Sequence, residues 1–153
     1  MQTVLAQIAD SMAQLVGIPE LSFDENDCIC LEFDDTACTL VADIDADRLL
    51  LHTELARLSD FLDQAGICRA LLGMNAELEF ADGVAAMATD RDSDSIALCA
   101  VIRPLCAPQA DLLEAIMIRF LELAADVQLR LKQLPTAPVA PQDFTGPGPG
   151  LRV

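Results

Sequence analysis

The sequence predicts an α+β fold in which a small antiparallel sheet packs on helices, in the order α-β-β-β-α-β-β-α. Two stretches, 28–53 and 83–103, alternate apolar and polar side chains with a period of two and are broken by Asp-rich turns, the mark of antiparallel hairpins. Three others, 2–16, 59–73 and about 107–133, place apolar residues at helical spacing. No apolar run approaches the ~20 residues of a membrane-spanning helix.

The first helix reads QTVLAQIADSMAQLV. Val4, Leu5, Ile8, Met12, Leu15 and Val16 share a stripe, while Gln2, Gln7, Asp10 and Gln14 fall elsewhere; Gly17 stops the helix and Pro19 closes it off. Such a stripe either packs on the core or stays partly open for a partner. The meander follows. Ile29, Leu31 and Phe33 alternate with Cys28, Cys30, Glu32 and Asp34, and Asp34-Asp35 marks the turn. Cys38, Leu40, Ala42 and Ile44 alternate with Thr39, Val41 and Asp43. A second turn at Asp45-Ala46-Asp47 leads into the apolar run Leu49 to Thr53. An antiparallel sheet of this kind usually buries one face.

From Ser59 to Gly73 the period becomes helical, with Ser59 as the expected cap and Asp60 and Asp63 suited to the first turns. Phe61, Leu62, Ala65, Cys68, Leu71 and Leu72 form a broad apolar face; Gly66 within it costs about 1 kcal/mol against Ala. The second hairpin runs Gly83 to Thr89, turns through DRDSD, and returns from Ser95 to Arg103. Ala107-Pro108 opens the last helix, with Pro in the first turn. Its stripe is Leu112, Leu113, Ile116, Met117, Phe120, Ala124, Val127 and Leu131, and it spans roughly 37 Å at 1.5 Å per residue. The chain therefore divides into a domain at 1–134 and a Pro/Gly-rich tail at 135–153, whose composition is that of a disordered segment.

At 153 residues one domain is expected, and a chain of this size buries about 68–70% of its unfolded surface. The net charge of −16, with no Lys or Arg before Arg48, excludes the clustered cations that phosphate backbones and anionic membranes require. An acidic field of this strength aids solubility and steers basic partners. The N-terminus lacks a basic stretch ahead of an apolar one, so a cytoplasmic location is expected. The six cysteines, at 28, 30, 38, 68, 99 and 106, then read as small buried hydrophobes and not as disulfides.

Catalytic and metal chemistry finds little support. Asp43, Asp45, Asp47 and Glu54 fall at positions 1, 3, 5 and 12 of a calcium loop, but Arg48 stands at position 6, where the sharp turn needs Gly. Asp90, Asp92 and Asp94 repeat the spacing with Val101 at position 12. A nucleophilic cysteine needs a base, and the single histidine, His52, lies in a strand-like run. Cys28 and Cys30 project to one strand face, without the further ligands zinc requires. No Gly-rich phosphate loop, Trp or Tyr is present. No enzyme activity, cofactor or metal site is expected.

The element order, size and acidity, the wording FDENDCICLEFDD…CTLVADI…RLLLHTEL, the Leu71-Leu72…Asn75 segment, the acidic hairpin and the long closing helix resemble the class I type III secretion chaperones, the Tir/YopE-chaperone-like family. The resemblance covers residues 1–133 and leaves out the tail. It implies a cytoplasmic homodimer that binds the N-terminal chaperone-binding segment of one or more secreted effectors. It also implies that effectors are kept soluble and delivered to the secretion ATPase. The expected dimer interface is the second-helix face Phe61, Leu62, Ala65, Cys68, Leu71 and Leu72. The expected client-binding set, shared with the core, is Leu5, Ile8, Met12 and Leu15 of the first helix with Ile29, Leu31 and Phe33 of the first strand. The alternative is an acidic metal-binding protein with a calcium-loop-like turn, or a regulatory protein on the same fold.

Overall fold

A computed structural model describes residues 2–34, 36–103 and 110–135. The predicted order is observed: α1 (Gln2–Val16), β1 (Cys28–Phe33), β2 (Thr36–Asp43), β3 (Arg48–Arg57), α2 (Gln64–Asn75), β4 (Val84–Asp90), β5 (Ser95–Ile102) and α3 (Ala110–Leu131). The expected opening of the last helix at Ala107-Pro108, and the tail beyond Pro135, lie outside the described residues.

The strands form one five-stranded antiparallel sheet in the order β1-β2-β3-β5-β4. Its register turns the period-two pattern into layers. Ile29, Leu40, Leu51, Ala100 and Ala85 make one row across all the strands, with Leu31 beside Cys38 and Met87 beside Leu98. These are the core-facing residues. The opposite face carries the row Cys30, Thr39, His52, Cys99 and Ala86. Thr53 is the buried polar residue among those described, and its hydroxyl donates to the Ala37 carbonyl at 2.7 Å. That bond offsets the cost of burying the group.

Helices close the core. α1 packs on α3, α3 on β3, and α2 along β4. Ile8, Met12, Leu113, Met117, Phe120 and Leu131 are among the large fully buried side chains. Turns are made by aspartates that accept the left-handed backbone: Asp27, Asp34, Asp47 and Asp94 have φ between 44° and 55°, and Gly17 ends α1 at φ 71°.

One element departs from expectation. The second helix begins at Gln64, not Ser59. The Ser59 N–H donates to Asp94 Oδ1 at 2.9 Å, its hydroxyl donates to Asp94 Oδ2, and the Leu58 N–H donates to the Asp94 carbonyl. Held this way by the β4–β5 turn, Leu58–Asp60 makes a single 3-10 turn. The cap passes to Asp63, whose carboxylate accepts the Gly66 N–H at 2.9 Å. A Cβ on residue 66 would collide with that carboxylate, which gives Gly66 a structural role at the cap.

Candidate functional site

A sheet with two edge strands has two places where an extended segment can be added, and the backbone accounting differs sharply between them. On β1, the Ala42 N–H bonds the Asp27 carbonyl at 2.9 Å. Ladder bonds alternate along an antiparallel pair, so Ile29, Leu31 and Phe33 also bond inward to β2. Cys28, Cys30 and Glu32 therefore turn their N–H and C=O groups outward. At Cys28 both are used: the N–H donates to Asp24 Oδ1 at 2.9 Å, and the carbonyl accepts the Asp24 N–H at 2.9 Å. Among the described residues no group meets Cys30 and Glu32 on that side.

On β4 the outward position is closed. The Asn75 side chain donates to the Met87 carbonyl at 3.0 Å and accepts the Met87 N–H at 2.7 Å. The amide thus imitates one rung of a strand in the middle of the edge. Ala85 and Thr89, the neighbouring outward positions, are left as isolated residues on either side.

The expected client-binding set is divided by the fold. Ile8, Met12, Ile29 and Leu31 are core residues, with Met12 0% exposed. The set is expected to be shared between core and partner, and these four are its core part, Met12 among them against the expectation that it stays open: Ile8 and Met12 lie one turn apart in the core cluster, on a helix that packs on α3, while Ile29 and Leu31 share the buried sheet face. Leu5, Leu15 and Phe33 are half-buried, and Leu15 and Phe33 pack against the core cluster.

The expected interface set divides as well. Phe61 and Leu71 are core residues, because the late start of α2 frees Phe61 to turn inward and Leu71 follows Ile67 by one turn. Ala65, Leu62 and Leu72 are exposed, the leucines at 64% and 69%, and Cys68 is half-buried. Ile67, outside the predicted face, is buried one turn before Leu71 and joins the core. A hollow of about 180 Å³ lies between α2 and β4, lined by Cys68, Leu71, Leu72, Asn75, Met87 and Thr89. Val84, 72% exposed on β4, lies with Ala86 on the opposite face of the sheet.

The calcium-like turn is occupied by its own cation. Asp43 Oδ2 accepts the Arg48 Nε–H at 2.7 Å, and Oδ1 accepts the Ala46 N–H at 3.1 Å. The Arg48 hydrogen bond, followed by that of Ala46, holds the Asp43 carboxyl below its ordinary value. The residue that spoils position 6 of the loop is the partner of position 1. Among the described residues no three His, Cys, Asp or Glu side chains converge to hold a metal. The described cysteines are free thiols; Cys38 is buried, whereas Cys30 is exposed, against the expectation of burial. No described helix is long and apolar enough to cross a membrane.

Comparison with known proteins adds to this geometry. The model of the Tir chaperone protein (CesT) family matches residues 7–128. No curated protein matches the chain. The crystal structure of the ExsC-ExsE complex is similar with a TM-score of 0.70 and 26% identity, over 90% of this chain and 97% of that one. The HopA1-SchA chaperone-effector complex matches with a TM-score of 0.63 and 20% identity, over 84% and 98%. The Yersinia pestis type III secretion chaperone SycH, in complex with a fragment of YscM2, matches with a TM-score of 0.56 and 17% identity, over 80% and 98%.

Proposed function

The chain belongs to the Tir chaperone protein (CesT) family, and on that premise we propose that it is a cytoplasmic, non-enzymatic chaperone for one or more type III secreted effectors. It binds the N-terminal chaperone-binding segment of its client, keeps the client soluble and secretion-competent, and presents it to the secretion ATPase. The observation that carries this reading is the family match across residues 7–128. The similar structures support it, since the ExsC-ExsE and HopA1-SchA structures are complexes with a partner protein, the second described as a chaperone with its effector.

Two surfaces suit the role. The open β1 edge offers main-chain hydrogen bonds, which recognise an extended segment with little regard to its sequence, and half-buried Phe33 on the same strand offers apolar contact. The exposed Leu72 and Ala65 of α2, with half-buried Cys68 and with exposed Leu62 just before the helix, suit pairing with a second copy; obligate interfaces resemble a core cut in half.

Co-purification from a host with active type III secretion tests the function. A secreted protein should be retained, and deletion of its N-terminal segment should release it. Retention that depends instead on a folded C-terminal domain, or the retention of no secreted protein, contradicts the proposal.

A further inference from the structure

We propose that Asn75 is the gatekeeper of the β4 edge: its side chain occupies the central rung and so keeps two copies of this chain from pairing β4 to β4. The sequence explains why the amide stands there. Ile67, Leu71 and Asn75 recur one turn apart on α2 and so share a face. The first two are buried and seat the helix. The third brings an amide, which both accepts and donates, to the edge of the strand. It accepts the Met87 N–H at 2.7 Å and donates to the Met87 carbonyl at 3.0 Å.

β4 needs such a guard. Edge strands are ordinarily protected from other chains by charge, proline or a bulge. β1 carries exposed Glu32 and is flanked by exposed Asp24, Glu25 and Asp34. From Val84 to Thr89, β4 has neither charge nor proline, and its outer face shows exposed Val84, Ala86 and Ala88. Its pairing with β5 runs in continuous register from Val84 to Asp90. The edge is also self-complementary. Ladder bonds alternate, so Ala85, Met87 and Thr89 turn their N–H and C=O groups outward. A two-fold axis at Met87 would set Met87 against its own copy and Ala85 against Thr89. Asn75 takes the middle of that ladder and leaves the flanking positions too far apart to pair as a strand. Space beside it remains: a hollow of about 180 Å³ between α2 and β4 is lined in part by Asn75, Met87 and Thr89. Truncating Asn75 enlarges that space and frees the central rung together.

Amide exchange by NMR and sedimentation velocity, both on the full chain, test the inference. In the native chain the Met87 amide should be protected and those of Ala85 and Thr89 should exchange fast; a Met87 amide as fast as its two neighbours overturns the proposal without any variant. Asn75→Ala should form species larger than the native assembly that grow with concentration. A synthetic peptide of the β4 sequence, VAAMATD, should slow exchange at Ala85, Met87 and Thr89 in this variant and leave the native chain unchanged. Two further variants separate edge pairing from lost stability. Adding Thr89→Pro to Asn75→Ala leaves the Met87 bonds missing but removes an outward donor that β5 does not use, a position where edge strands tolerate proline; the larger species should disappear. Ile96→Val trims a fully buried β5 side chain, a loss of stability of similar order, and should form none. Larger species that persist with Thr89→Pro, equal amounts of them in Ile96→Val, or their absence in Asn75→Ala, overturn the inference.

Discussion

Met12 sits at the centre of the core cluster on α1, with Ile8 one turn before it. An ionised side chain cannot be placed there without losing its hydration, so Met12→Glu should cost several kcal/mol and shift the urea midpoint far down or abolish folding. Asn75 acts at the other end of the sheet. Asn75→Ala removes both bonds to Met87 and should lower stability by roughly 1–3 kcal/mol in urea titrations, with faster exchange of the Met87 amide. Cys38 gives a pH signature: burial pushes its thiol up from 9.0 to about 12. The folded chain keeps that proton while the unfolded chain releases it. The contribution is therefore complete below about pH 9 and is lost as pH rises toward 12. The chain contains no Tyr to obscure the effect. Urea midpoints measured at pH 8 and pH 10 should fall more for the native chain than for Cys38→Ala.

At the scale of elements, α2 carries the clearest test. Leu72 is 69% exposed in the protomer, so Leu72→Asp should leave the protomer folded by circular dichroism and convert dimer to monomer in sedimentation. A native chain that sediments as a folded monomer at micromolar concentration rules out this interface. The same helix shows where sequence reasoning stops. Its existence was legible from apolar spacing, but its start was not, because Ser59 is engaged by Asp94, 35 residues away. Two strand meanders were legible because alternation and Asp-rich turns are local. Which of Leu5, Ile8, Met12, Leu15, Ile29, Leu31 and Phe33 lie inside was not, since a stripe or a strand face records only that one side is apolar. The open and closed sheet edges were equally hidden: they depend on Asp24 and Asn75 folding back on backbone that their positions in the sequence do not reveal.

Over the whole molecule, charge and size shape the outcome. A chain with net charge −16 repels copies of itself and acidic competitors, and speeds encounter with basic segments. Binding of a client should therefore weaken as salt rises, through slower association. The residues after Leu134, rich in Pro and Gly, offer little apolar surface to offset the entropy of ordering; truncation there should leave the melting temperature within about a degree or two, and a large drop would mean that the tail supports the body. If the chain is a chaperone of this family, two paired copies should hold the N-terminal segment of a client. Light-scattering mass of the purified complex between the full chain and the N-terminal segment of its co-purified client tests it most directly. Two chains with bound client segment is the predicted mass; a single chain with the segment, or free chain beside free segment at micromolar concentration, would contradict it.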